Sequence, residues 1–317
     1  MRFSVIIPLY NKAPYVAKAI GSVLSQTFTD FELVIVDDGS KDDSAEIAAK
    51  AIEGKVNCRL MRQENAGVSV ARNNGVAASH GDYLCFLDAD DWWAPTFLEE
   101  MSKLVAEFPD AGIFGTNYTI VNETKHKTRV SPIGVDAGFE KGYINYCQVY
   151  AKTLAMPLWT GAVCIPRPIF DEMKGFPKGI KLGEDFLLWI HIALKYKVAF
   201  LNKPLAYYNQ DVDVVGKGVV GKGYDPDTFM TFHFGQFEEE EKKNQYLKTL
   251  LDRLRVYSLL RFRLENAHVS RVNAEIAKVD FSNVDRKYRF YYRLPYLTVW
   301  LAIRIRSLGS WFKQKIG

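Results

Sequence analysis

Residues 81–93, Gly-Asp-Tyr-Leu-Cys-Phe-Leu-Asp-Ala-Asp-Asp-Trp-Trp, constrain the fold more than any other stretch of the chain. Residues 83–87 are a short, uncharged apolar run of the length expected for a strand buried on both faces. The run stops at three carboxylates, Asp88, Asp90 and Asp91, with only Ala89 among them. In an open parallel sheet, ligands sit just beyond the carboxyl ends of the strands. Three acids at such an end suit a hard divalent cation, which takes oxygen ligands and shares them with substrate phosphates. A plainer reading is that Asp90 or Asp91 caps a helix opened by Trp92, Trp93 and Pro95. Spacing alone leaves both readings open.

The segments around this stretch alternate in period. Residues 3–7 and 31–36 are apolar runs that read as strands, and 57–61 read as a short third one. Helical spacing of apolar residues marks 14–26, 44–52 and 94–108. The first strand ends in the loop Pro8-Leu9-Tyr10-Asn11, and the second in the turn Asp37-Asp38-Gly39-Ser40. Strands alternating with helices through short connections predict a parallel sheet with right-handed crossovers as far as residue 110. Beyond it, residues 112–121 and 161–165 read as strands, 122–138 as a hairpin or loop, and 143–155 as a helix. Gly183-Glu184-Asp185 opens a further helix over 186–197, and 198–208 returns extended. Residues 211–227, rich in Gly and Val without a period, read as a link. Residues 238–264 read as one long amphipathic helix, begun by four Glu and ended by Arg255, Arg261 and Arg263, which complements its dipole. The expected division is a sheet-forming region 1–210, in halves 1–110 and 111–210, followed by a helical region 211–317.

Charge separates these regions. The chain of 317 residues carries a net charge of +4, yet residues 285–317 hold eight Lys or Arg against Asp285 alone. The basic tail also carries eight aromatic residues, and its apolar stretch 294–303 is about 15 Å long as a helix, half a bilayer core. It is too short to span a membrane and suits either the interface, where Lys and Arg over 286–315 would meet anionic lipid heads, or a C-terminal helix packed on the preceding region or on a partner subunit. The acidic remainder offers no basic face for nucleic acid. Cys58, Cys85, Cys147 and Cys164 form no paired spacing, as expected of reduced thiols in a cytoplasmic protein. His126, His191 and His233 show no metal-ligand spacing.

Five pieces in order carry a resemblance: residues 4–11 (Ser-Val-Ile-Ile-Pro-Leu-Tyr-Asn), residues 34–40 (Val-Ile-Val-Asp-Asp-Gly-Ser), Gly67 with Ala71-Arg72-Asn73, Gly81-Asp82-Tyr83 with Asp88-Ala89-Asp90, and Gly183-Glu184-Asp185. Together they resemble the family 2 glycosyltransferases over residues 1–210, which implies a catalytic region with a nucleotide-binding half 1–110 and an acceptor half 111–210. The resemblance implies an α/β GT-A fold with a mostly parallel central sheet, and inverting transfer of a sugar from a nucleotide diphosphate, a UDP-sugar, to an acceptor hydroxyl. It implies Mn²⁺ or Mg²⁺ at Asp90, with Asp88 nearer the ribose and Asp91 in a supporting role. Asp38 would accept from the base, Pro8 and Tyr10 would pack on its ring, and Arg72 would lie near the diphosphate or base. Asp185, with Glu184 beside it, would be the general base. Trp159 is a candidate platform for the acceptor sugar. A saccharide acceptor, carried on a lipid, would place the enzyme at the inner face of the cell membrane in surface polysaccharide assembly. A nucleotidyltransferase is disfavoured by the absence of an early Gly-rich basic loop, and a dinucleotide-binding oxidoreductase by the absence of a G-x-G-x-x-G. An inactive module of the same shape is disfavoured by the intact Asp88, Asp90 and Asp185.

Overall fold

A computed structural model describes residues 1–211, 225–294 and 298. The chain divides into two compact units, Met1–Met230 and Thr231–Gly317. Most of the expected link over 211–227, and most of the expected lipid-facing segment 286–315, lie outside the described residues.

The first unit is built on one mixed sheet. β1 (Phe3–Leu9) and β2 (Phe31–Asp37) are buried at every residue, as continuous apolar runs covered on both faces should be. β3 (Cys58–Arg62) and β4 (Tyr83–Phe86) complete a fully parallel half in the order β3-β2-β1-β4. Between them run α1 (Val16–Leu24), α2 (Ser44–Ala51) and α3 (Val68–Ala77). α1 buries Val16, Ala19, Ile20 and Val23 along one stripe. The parallel half is as the alternation of periods predicts.

β1 extends two residues beyond the expected strand, so Pro8 lies inside it and is buried. Proline is tolerated there because the pairing of β1 with β4 ends at Ile6, and no ladder bond is missed on that side.

The second half departs from the simple alternation. After β4 comes β5 (Trp92–Trp93), a strand where the sequence predicts a helix start; α4 (Phe97–Glu107) begins only four residues later. Cross-strand contacts decide this. Trp93 and Trp92 pair antiparallel with Ala206 and Tyr207, and Trp92 stacks on Tyr207 with ring centroids 5.4 Å apart. β6 (Ala111–Asn122) forms a hairpin with β7 (Lys127–Val130) within the expected loop. β8 (Lys141–Ile144) takes the first residues of the expected helix, and α5 (Tyr146–Thr153) starts only after Asn145, whose Oδ1 accepts from Gln148 N at 3.0 Å. β9 (Val163–Pro166) inserts antiparallel between β4 and β6. α6 (Arg167–Glu172) and α7 (Glu184–Lys195) lead to β10 (Lys197–Asn209), which runs parallel to β6. The main sheet order is therefore β3-β2-β1-β4-β9-β6-β10-β5.

The second unit contains α8 (Glu238–Lys243), α9 (Gln245–Leu264), α10 (Val269–Ile276) and α11 (Arg286–Arg293). The single helix expected over 238–264 is two. Asn244 is extended and its Oδ1 accepts from the N–H groups of Tyr246 and Leu247 at 3.1 Å, so it caps a fresh start. Leu247, Leu250, Leu251, Leu254 and Leu259 of α9 are buried, and so is Arg255, 1% exposed. Arg255 pairs with Glu241 and Glu275.

Candidate active site

The carboxyl ends of β1, β2 and β4 lie side by side because the three strands are parallel neighbours. At the end of β2, the buried Asp38 accepts from Gln63 Nε2 and Ala66 N on Oδ1, both at 2.8 Å, and from Gly67 N on Oδ2 at 2.9 Å. A carboxylate offers about four lone-pair sites, so one remains on Oδ2. Asp37 fixes its own turn through Ser40 N at 3.1 Å. Tyr10 is exposed just past β1.

The acids after β4 are not equivalent. Asp91 N donates to Asp88 O at 3.0 Å, which folds the four residues into a turn. Asp91 is buried and accepts from Asn209 N at 2.8 Å, tying the end of β10 to that turn. The supporting role therefore falls to the strand pairing of β5 with β10 and not to a helix cap. Asp90 meets Lys12 Nζ at 2.5 Å, and Lys12 lies in the loop after β1. Asp88 accepts from Arg72 Nη2 at 2.7 Å.

Arg72 on α3 is 3% exposed and its other terminal nitrogen donates to Glu184 Oε1 at 2.8 Å. Both ends of the guanidinium are thus engaged by carboxylates from opposite sides of the sequence. Burial alone would lower its pKa, but Asp88 and Glu184 outweigh burial and keep it charged. Glu184 is pushed up, first by burial and then by the neighbouring Asp185, with Arg72 opposing. Burial also raises Asp90, against Lys12 and with Asp88. Asp91 is raised well above the usual carboxylate range by burial and by Asp90 and Asp88.

Glu184 and Asp185 open α7 after Gly183, which caps it at φ 83°. That left-handed conformation favours glycine, and a Cβ there would also strike Met230. Asp185 Oδ2 accepts from Thr160 Oγ1 at 2.6 Å, and Oδ1 from Phe186 N at 2.7 Å. Next to Thr160, the half-buried Trp159 packs its ring at 4.9 Å from Tyr118 and 5.4 Å from Tyr208. The sequence motifs at residues 88 and 184 are thus both hydrogen-bonded to Arg72 of a third motif. Lys12, Thr160 and Trp93 escape a reading by motif, since only the folded chain puts them beside Asp90, Asp185 and the 159–162 turn.

Among the described residues, no three His, Cys, Asp or Glu side chains gather into a group able to hold a metal ion by themselves. No helix among them is long and apolar enough to cross a membrane.

These features define a GT-A sheet with its acids at the strand ends. The sequence profile described as Glycosyl transferase family 2 matches residues 4–172, more than half of the chain, and the protein belongs to that family. It is 35% identical over 215 residues to the glycosyltransferase GlyA of Streptococcus pneumoniae, a match covering 65% of this chain and 30% of that protein. An uncharacterized glycosyltransferase of Rickettsia felis is 36% identical over 206 residues, covering 65% of this chain and 32% of its own length. The chain thus matches about a third of the length of these relatives. In fold it is similar to S. aureus TarS residues 1–349 in complex with UDP-GlcNAc, with a TM-score of 0.75 at 22% identity, covering 96% of this chain and 92% of that one.

Proposed function

We propose that the protein transfers a glycosyl group, with inversion, from a UDP-sugar to a hydroxyl of a saccharide acceptor. The observation that carries this reading is the Asp88–Arg72–Glu184 bridge, which holds the acids after β4 and the acids opening α7 at one site. Asp185 accepts the proton of the acceptor hydroxyl, whose oxygen forms the new bond at the anomeric carbon as the nucleoside diphosphate leaves from the opposite face. Asp38 offers its free lone pair to the imide of the base, with Pro8 and Tyr10 beside the ring. Asp88 lies toward the ribose, and Arg72 keeps Asp88 and Glu184 in register. Trp159, with Tyr118 and Tyr208, supplies an aromatic wall for the acceptor sugar.

The donor set fits a hard cation that completes its shell with substrate. Mg²⁺-type sites use one or two carboxylates plus phosphate oxygens, and Asp90 pairs with a cationic group, Lys12 Nζ, at 2.5 Å. Asp90 would hold Mn²⁺ or Mg²⁺, which supplies Lewis-acid neutralisation of the leaving diphosphate. Release of UDP from a panel of UDP-sugars, with Mn²⁺ and then with EDTA, tests the reading. Release from none of them would remove it.

A specific surface supports a lipid-linked acceptor at the inner membrane face. On α11, Arg286, Lys287 and Arg293 are exposed around Phe290, itself 59% exposed, at helical spacing. Such a face suits reversible contact with anionic lipid heads. Sedimentation with anionic liposomes should be lost on Phe290→Ser combined with Lys287→Glu, and equal recovery of both proteins in the supernatant contradicts it.

A further inference from the structure

We propose that Thr160 is a positioning residue for Asp185, its turn fixed in place by a hydrogen bond from the Trp93 indole to the Gly161 carbonyl; this rests on Asp185 acting as the base. Thr160 is buried and its hydroxyl donates to Asp185 Oδ2 at 2.6 Å. Its backbone belongs to the short 3₁₀ turn Thr160–Ala162, closed by Ala162 N on Trp159 O at 2.8 Å. Trp93 Nε1 donates to Gly161 O at 2.7 Å within the same turn. A Cβ on Gly161 would lie 2.5 Å from the Trp159 ring, so the indole folds over this residue only because it is glycine. Trp93 follows Asp91 by two residues. A path of hydrogen bonds and short backbone therefore runs from the acids after β4 to one oxygen of Asp185. With the Asp88–Arg72–Glu184 bridge, it gives the acidic pair opening α7 two separate ties to the donor acids.

The contact has a defined chemical consequence. With Oδ2 and Oδ1 each taking one donor, from Thr160 and Phe186, the carboxylate cannot swing freely and still offers lone pairs to an acceptor hydroxyl. The other groups facing Asp185 are Glu184 and Arg72, and the phenols of Tyr118 and Tyr146, whose pKa values it helps to raise. Substitution of Thr160 leaves all four in place.

The test compares Thr160→Val and Thr160→Ser with wild type by the ¹³C NMR shift of Asp185 Cγ at one fixed pH, assigned by its loss in Asp185→Asn, alongside steady-state kinetics. Thr160→Val should displace that resonance and lower kcat about 10- to 100-fold through misplacement of the base, with the donor KM within about twofold. Thr160→Ser should restore both. An unmoved Asp185 resonance in Thr160→Val overturns the proposal, as do equal defects in the Val and Ser variants. A resonance that moves as expected in a protein releasing no UDP from any UDP-sugar leaves the contact standing and removes the transfer reading instead.

Discussion

Two clusters of buried charge, one in each unit, differ in their balance. At the sheet's carboxyl ends, Asp88, Asp90, Asp91, Glu184 and Asp185 are matched, among the described residues, by Lys12 and Arg72. In the helical unit, Glu241, Asp252 and Glu275 meet Lys248, Arg255 and Lys278 one for one. Taking charge out of water is costly unless it is paired, so a balanced cluster can close on itself. The five-acid cluster cannot, and burial and mutual repulsion push three of its carboxyls up. That surplus of negative charge is what a cation carrying a diphosphate would complete. The helical cluster ties α8, α9 and α10 together and has no such surplus.

The contrast breaks most sharply at Asp185. Asp185→Asn should lower turnover by about 10²–10⁴ while UDP affinity holds, as expected of the proposed base for the acceptor hydroxyl. Parallel loss of affinity would make it a folding residue and dissolve the difference between the clusters. Arg255→Met should do the reverse. It strands Glu241 and Glu275 and should cost about 3–5 kcal/mol in unfolding by denaturant, with UDP affinity unchanged in the folded protein. A smaller effect concerns Glu32, a buried acid of the first unit outside the site. Burial raises it, but donors from His80 N, Ser4, Gly81 N and Arg59 outweigh burial, and its pKa falls below 4.5. Its ionised form is therefore stabilised by folding. That contribution is full above about pH 4.5 and is lost as pH falls through the lower folded value. Glu32→Gln should cost on the order of 2 kcal/mol at pH 7 and flatten the acid side of the stability curve. An unaltered slope there would show that the charge of Glu32 contributes nothing.

Local pattern made the parallel half legible and left the rest partly hidden. β1, β2 and β4 are mostly apolar runs connected through helices, and each pairs with a neighbour by the ordinary crossover rule. β9 inserts antiparallel between β4 and β6 through contacts far apart in sequence, which no period announces. Trp92 and Trp93 follow helix-opening acids, yet pairing with Ala206 and Tyr207 makes them a strand. Asn244 inside an amphipathic run reads as a tolerated polar residue until its side chain is seen to cap. In the site, the acids show themselves because carboxylates at strand and helix ends are a strong local signal. Their partners do not. Lys12 lies 78 residues from Asp90 and Thr160 lies 25 from Asp185, and only the fold brings them into contact.

The central claim is that the unbalanced acids complete themselves with a cation and a nucleoside diphosphate. Calorimetric titration of UDP into the wild-type protein and Asp90→Asn, each with and without Mn²⁺, addresses it directly. The account predicts that Mn²⁺ tightens UDP binding to the wild type and has no effect on Asp90→Asn. Equal affinity of the wild type with and without the metal, or an undiminished metal effect in Asp90→Asn, would contradict it.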